Sequence, residues 1–418
     1  MTIQVTRLAN GLTVATDSMP GVESVSLGIF VGVGTRHETQ EINGVAHLLE
    51  HMAFKGTARR SARDIAEEIE AVGGHLNAWT GRETTAYYAR VLAADVPLAL
   101  DILADILQHS SFDPEELARE RQVVLQEIGL AEDTPDDIVF DLFQETAYPD
   151  QPLGWPVLGR AATVGELGRD ALTGYLSGQY GADRMVLAAA GRVDHAQLVA
   201  QAEAKLGGLR PLGQARAVAA RYLGGEHRAE RELEQVHLVL GFPGVSAHDP
   251  DFYAANVLST LVGGGMSSRL FQEVREKRGL VYSIYSFLSH FDDGGLFAIY
   301  AGTGESEAAE LLPIVADELG KVTARVKPDE IQRARAQARA GILMARESTS
   351  ARAEALANQI LTYGRPLTTE EILAEIDQVD ELRVQQVAAR LFGGTPTLTA
   401  LGPIARVESY ARLAERLA

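Results

Sequence analysis

Two histidines and a glutamate stand together at positions 47, 51 and 50, inside the run Gly44-Val45-Ala46-His47-Leu48-Leu49-Glu50-His51-Met52-Ala53-Phe54. The run is otherwise apolar and has no proline or other breaker from Val45 to Phe54, so a helix is predicted there. At about 100° per residue, His47 and His51 lie about 40° apart on the wheel, and Glu50 lies about 60° to the other side of His47. One face of the helix therefore carries all three. Burying them without partners would cost on the order of several kcal/mol, so a partner is demanded. Two imidazoles one turn apart can both reach a Zn²⁺ ion at about 2.0–2.1 Å, which leaves the carboxylate beside them to polarise water.

A catalytic zinc site wants a third protein ligand and an open fourth position. The best candidate is Glu127, 76 residues beyond His51. It lies in Glu116–Leu130, a stretch of strongly helical composition. Glu120, seven residues before Glu127, falls on nearly the same helix face. Glu127 is assigned as the ligand and Glu120 as an outer carboxylate that orients a ligand imidazole. The competing role for Glu120 is that of an ordinary solvated charge.

His-x-x-Glu-His is the inverted zincin signature. Followed at this separation by Glu-Arg-x-Val-Val-x-x-Glu, from Glu120 to Glu127, it makes the chain resemble the pitrilysin-type metallopeptidases. The likeness is closest to the processing-peptidase-like subgroup of half-length chains and covers nearly the whole sequence. It implies a zinc endopeptidase with one Zn²⁺ per chain, Glu50 as general base and Glu127 as third ligand.

The elements that must position these residues belong to a chain of 418 residues, too long for one ordinary core, so two or more domains are expected. With 46% hydrophobic and 23% charged residues the composition is that of a soluble globular protein. No apolar run reaches 18 residues, so no membrane span is indicated. The start, Met1 to Leu8, alternates like a strand and lacks a basic-then-apolar export signal. Zero cysteines exclude thiolate ligands and disulfides, which fits a cytoplasmic location. A net charge of −19 argues against a general binder of nucleic acid or anionic membrane. It fits either a chamber that attracts basic peptides or plain solubility charge.

Along the first half, strands are predicted at Thr2–Arg7, Leu12–Ala15 and Val25–Val31, the last alternating apolar with small residues. Ser61-Ala62-Arg63-Asp64 is a capping box opening a helix with Ile65, Ile69 and Val72 on one stripe. His75 to Tyr88 reads as two strands around a short turn. In the pitrilysin-type family the matching Asn-Ala strand is the sheet edge that receives substrate as an added strand, so the resemblance makes Asn77 and Ala78 substrate-binding. Helices follow at Val96–Leu107 and Glu116–Leu130. The acidic run Glu132 to Asp137, with Asp141, opens another. Acidic residues there complement the helix dipole. In processing peptidases, residues ten and fourteen positions after the third ligand bind a substrate arginine; here they are Asp137 and Asp141, which makes arginine preference an expectation.

A buried strand is predicted at residues 184–194, a helix at Ala196–Leu206, and a Gly-, Arg- and Ala-rich linker at 208–232. The second half repeats the first. A shift of 211 residues lays Val236–Phe242 over Val25–Val31, and puts Leu258, Leu261 and Val262 where His47, Glu50 and His51 stand. The metal site exists once. Glu273 to Ser283 resembles the family's second-half signature, in which an arginine and a tyrosine seven residues apart reach across to the zinc half. These are Arg275 and Tyr282. Arg275 can bind a substrate carbonyl or carboxylate, and Tyr282 can donate a hydrogen bond to a tetrahedral oxyanion. Strand and helix patterns at Gly294–Ala301, Ser306–Val326, Pro328–Glu347, Leu356–Tyr363, Glu370–Val379, Glu381–Leu391 and Pro396–Leu401 read as scaffold.

The fold class the resemblance implies is α+β, with two homologous domains, each a mostly antiparallel sheet packed with helices: a zinc domain over 1–207 and an inactive repeat over 233–418. Because one chain holds both the ligands and the Arg275–Tyr282 pair, a homodimer is expected, each site completed by the partner's second half, with peptides or unfolded precursor segments as substrate. The alternatives are a non-catalytic core-type subunit of a membrane complex and a general oligopeptide-degrading enzyme.

Overall fold

The structure is a computed structural model and describes residues 3–418. The predicted strand start at Thr2 lies outside the described residues. Eleven strands are seen among them: β1 (Ile3–Arg7), β2 (Thr13–Ser18), β3 (Ser24–Val31), β4 (His75–Thr80), β5 (Thr85–Leu92), β6 (Met185–Gly191), β7 (Gly225–Glu230), β8 (Val236–Pro243), β9 (Val281–His290), β10 (Gly295–Thr303) and β11 (Thr397–Gly402). They form a six-stranded sheet in the order β1-β2-β6-β3-β5-β4 and a five-stranded sheet in the order β7-β11-β8-β10-β9. Each is antiparallel except for one parallel pair, β2 with β6 and β7 with β11. Remove β1 and the two orders coincide strand for strand, so the internal repeat is structural. Five helices of the first half matter below: α1 (Val45–Ala53), α2 (Ala62–Ala71), α3 (Val96–Gln108), α4 (Pro114–Asp133) and α5 (Pro135–Ala147). Among the described residues no helix is long and apolar enough to cross a membrane.

The chain divides into two compact units that are not contiguous halves. The first holds the stretch ending at Leu130, Trp155–Val218 and Met344–Leu367. The second holds Ala131–Gly154, Ala219–Leu343 and Thr368–Ala418. This departs from the expected division at a 208–232 linker in two ways. Strand β7 lies inside that segment, parallel to β11. Each half also lends one helix to the other unit.

In the first unit, the face of the sheet bearing Val25, Leu27, Ile29, Tyr87 and Ala89 packs against α1 and α3 in the main core. The opposite face, with Ala15, Phe30, Ala86, Val186 and Ala188, is covered by Leu356, Ala357 and Ile360 of the helix Thr349–Tyr363. Small residues on that face, Ser26 and Gly28 on β3 and Ala188 and Ala190 on β6, let the helix approach. It is tied down by Ser26 Oγ to Thr349 Oγ1 at 2.8 Å and by Arg352 Nη1 to the buried Asp17 Oδ2 at 3.1 Å. The second unit repeats the plan. Its sheet packs on the helices Phe252–Gly263, Ala308–Ala324 and Glu381–Phe392, while α5 covers the other face with Val139, Phe143 and Ala147, spaced i, i+4, i+8. Each such fully buried Val or Phe contributes about 1.5–3 kcal/mol of stabilisation.

Candidate active site

Helix α1 opens at Gly44 with φ +95°, a conformation that costs a residue with a Cβ strain. Space excludes a side chain there as well: a Cβ would lie 2.8 Å from Val164 Cγ2 and 2.9 Å from Leu158 O. Glycine cannot cap the helix with a side chain, and the buried Glu38 does so from outside the helix. Its Oε1 accepts from Ala46 N at 2.8 Å, and its Oε2 accepts from Gly44 N and Asn43 Nδ2, both at 2.9 Å. An acidic group facing helix N–H groups satisfies orphan donors and complements the dipole. Burial nevertheless pushes the Glu38 carboxyl up to about 7, against those hydrogen bonds. The first turn of α1, which carries His47, is thus held by a side chain nine residues before that histidine.

His47, His51 and Glu127 converge, one donor atom from each lying within 4.8 Å of the others. Glu127 Oε2 is 3.4 Å from His51 Nε2 and 3.8 Å from His47 Nε2. Two donors each about 2.0–2.1 Å from a tetrahedral zinc ion stand about 3.3 Å apart, so the spacing suits the ion. The chemistry of the set suits it too, with two imidazoles, one carboxylate and no competing thiolate. Burial, and after it the charge on His51, holds His47 down to about 4, so its ring is neutral at physiological pH as ligation requires.

Glu120 faces the other nitrogen of His51, with Oε2 3.1 Å from Nδ1, and its Oε1 pairs with Lys55 Nζ at 2.7 Å. A carboxylate on Nδ1 fixes the ring and leaves Nε2 to face Glu127. His47 has no such support, because among the described residues its buried Nδ1 has no hydrogen-bond partner. Glu50 sits on the same helix face, where Thr80 Oγ1 donates to its Oε2 at 2.5 Å. Burial raises the Glu50 carboxyl above the usual range, and the Thr80 hydrogen bond opposes that rise.

Thr80 ends β4, the last strand of its sheet, which among the described residues is paired with β5 alone. Asn77 and Ala78 lie midway along this edge. The Ala78 N–H donates to the side chain of its own neighbour, Asn77 Oδ1, at 2.8 Å. That acceptor lies within the edge strand, so an incoming peptide carbonyl can replace it.

The remaining predicted residues belong to the second unit. Arg275 lies in a short π-helical turn, Phe271–Glu276, a geometry that recurs at functional sites. Its guanidinium stacks 4.8 Å from the Phe271 ring and 5.3 Å from that of Tyr282. Tyr282 is 79% exposed, so the pair forms an outward-facing cationic and phenolic patch. Asp137 lies exposed in the first turn of α5, with Asp141 one turn further along. The structure brings together the zinc candidates, Glu50 and Glu120 in one unit, and Arg275 with Tyr282 in the other. Glu38, Lys55 and Thr80 escape the sequence reading. Only Thr80 carried a signal, since alternation along β4 puts it on the α1 face with Ala78.

Residues 13–161 match the family described as insulinase, peptidase family M16, and residues 166–338 match the M16 inactive domain. The chain is 41% identical over 400 residues to an uncharacterized zinc protease of Rickettsia bellii, covering 96% of this chain and 97% of the relative. It is 43% identical over 413 residues to one of Streptomyces coelicolor, covering 96% and 90%. A probable mitochondrial-processing peptidase subunit beta of Arabidopsis thaliana is 39% identical over 429 residues, covering 99% and 81%. Among solved structures, a protease from Helicobacter pylori superposes with a TM-score of 0.90 at 21% identity, covering 96% of this chain and 99% of the other. A chain of Candida albicans complex III2 gives 0.87 at 21%, covering 99% of each. These two likenesses speak to the fold, which is α+β with mixed sheets in both units.

Proposed function

Since this chain belongs to peptidase family M16 and is a zinc metalloprotease, we propose that it is an endopeptidase for extended peptides or unfolded precursor segments, with one zinc per chain and a preference for arginine-containing sequences. The observation that carries this is the convergence of both Nε2 atoms of α1 on Glu127, with Glu50 on the same face held by Thr80. The intact donor set counts against a non-catalytic subunit.

His47, His51 and Glu127 would hold the metal. Zinc, when bound, lowers the pKa of a water towards 7 and polarises a peptide carbonyl. Glu50, as general base, would take a proton from the attacking water and return it to the leaving amine as the C–N bond breaks. Thr80 keeps the carboxylate aimed, and Glu120 keeps the His51 ring turned. The substrate strand lies along β4, its carbonyl taking the place of Asn77 Oδ1 on the Ala78 N–H. Asp137 and Asp141, four residues apart on one helix face, offer two carboxylates to a substrate guanidinium.

The test is a mixed library of unstructured peptides incubated with zinc-loaded protein, with the cuts mapped by mass spectrometry. Internal cuts are expected, enriched where an arginine lies upstream. Absence of any cut would overturn the peptidase reading, whereas equal cutting with and without arginine would remove only the preference.

Arg275 and Tyr282 serve a site only when they reach its oxyanion, and we assign them to the partner copy in a homodimer. Mixing Glu50→Gln protein with Arg275→Ala protein should then restore activity that neither variant has alone. In a two-fold dimer, equal mixing with free exchange returns about a quarter of the wild-type rate, because half the dimers are mixed and each holds one intact site. Full exchange, seen by native mass spectrometry, without any recovery would rule out sharing between copies.

A further inference from the structure

A cavity of about 720 Å³ lies against the face of β4 that points away from α1. Residues His75, Asn77 and Trp79 point to this face, while Leu76, Ala78 and Thr80 point to the other, because side chains alternate along a strand. Across the sheet Asn77 pairs with Tyr88 and Trp79 with Ala86, and β3 adds Phe30. The cavity is walled by Phe30, Trp79 and Tyr88 and roofed by Ala353 of the helix Thr349–Tyr363. Its polar members include Arg90 and Glu354, one of each sign. On the α1 face a second hollow, of about 490 Å³, runs between α2 and the start of the same strand, lined by Phe54, Ile65, Ile69 and Leu76.

We propose that the 720 Å³ cavity is a specificity pocket for one large apolar side chain, aromatic or aliphatic, of the substrate itself. The inference rests on the reading that β4 receives the peptide. Given that, geometry leaves little freedom. A strand added to β4 continues the pleat, so its successive side chains fall on opposite faces of the sheet about 3.3 Å apart along the chain. One residue enters the hollow between β4 and α2, and its neighbour in sequence enters the cavity roofed by Ala353. The occupant is the substrate strand rather than a separate partner because β4, the strand that would pair with it, supplies part of the cavity wall. The aromatic walls favour an apolar group, and with charges of both signs among the lining residues there is no net preference for a charged one.

Filling the cavity tests this. Ala353→Phe closes it from the roof, and Glu354→Trp, at an exposed position beside it, serves where the first variant does not fold. Wild-type cuts in the peptide library should favour large apolar residues at two consecutive positions on one side of the scissile bond. Either filled variant should lower that preference about tenfold or more at one of the two positions and leave its neighbour unchanged. Continued cutting with both preferences intact in a folded, filled variant overturns the pocket while leaving the peptidase reading in place. Loss at both neighbouring positions together also overturns it, since one face cannot hold both. A wild-type protein that cuts nothing would instead sink the underlying reading.

Discussion

Glu50→Gln is expected to lower kcat about 10³-fold while the protein still binds zinc, because a positioned general base contributes roughly 10²–10⁴-fold. That is on the order of 4 kcal/mol of barrier. The substitution removes the proton acceptor and little else. Thr80 Oγ1 can donate to an amide oxygen as it does to Glu50 Oε2, and Glu50 is not one of the three converging donors. KM should change little, since the carboxylate acts in the transition state rather than in holding the peptide. Burial raises this carboxyl, which moves its proton affinity towards what a base working near neutral pH needs. Steady-state kinetics alongside zinc content by atomic absorption would check the claim. Normal turnover in the variant would transfer the base role elsewhere.

The second large effect belongs to Glu127. Structural zinc sites bind with an apparent free energy on the order of 10–16 kcal/mol, and on that scale losing one of three protein ligands removes roughly a third of it. Glu127→Gln should therefore weaken zinc binding roughly 10²–10⁴-fold. Glu120→Gln acts through the orientation of His51 and should cost about 10–100-fold. Competition against a chromophoric chelator measures both, and the order of the two losses matters more than either value. Metal-free melting temperatures separate these effects from damage to the fold. The Glu127 side chain is 40% exposed, so its replacement should leave the melting temperature of the chelated protein nearly unchanged. Equal losses for the two variants would mean that Glu120 and Glu127 are misassigned relative to each other.

Much of this centre was legible because it follows from period and spacing. The α1 run is apolar without breakers, so the placement of His47, Glu50 and His51 on one face followed from helix geometry alone. The Ser61 capping box forms as read, with Asp64 N donating to Ser61 Oγ at 3.1 Å and Ser61 N donating to Asp64 Oδ2 at 2.8 Å. That Glu120 and Glu127 share a face of α4 also followed from their separation. Other features were hidden for physical reasons. Strand β7, Gly-Glu-His-Arg-Ala-Glu, is polar and half-exposed as an edge strand that, among the described residues, pairs with β11 alone, so it shows no apolar alternation. Glu38 and Lys55 look like surface charges until tertiary packing buries the first and brings a carboxylate to the second. An amphipathic pattern says that α5 and Thr349–Tyr363 each bury a stripe, but it does not say against which sheet.

Neither half of the polypeptide is a self-sufficient fragment. A fragment ending after residue 218 would keep all six strands of the first sheet, yet it would forfeit Thr349–Tyr363 and bare Ala15, Phe30, Ala86, Val186 and Ala188 to water. The complementary fragment would lose α5 and bare Val239, Leu296, Ala298 and Leu401. Each core is completed only by chain synthesised with the other, so the duplication has been locked by an exchange of one helix each way into a single covalent assembly that must be built whole.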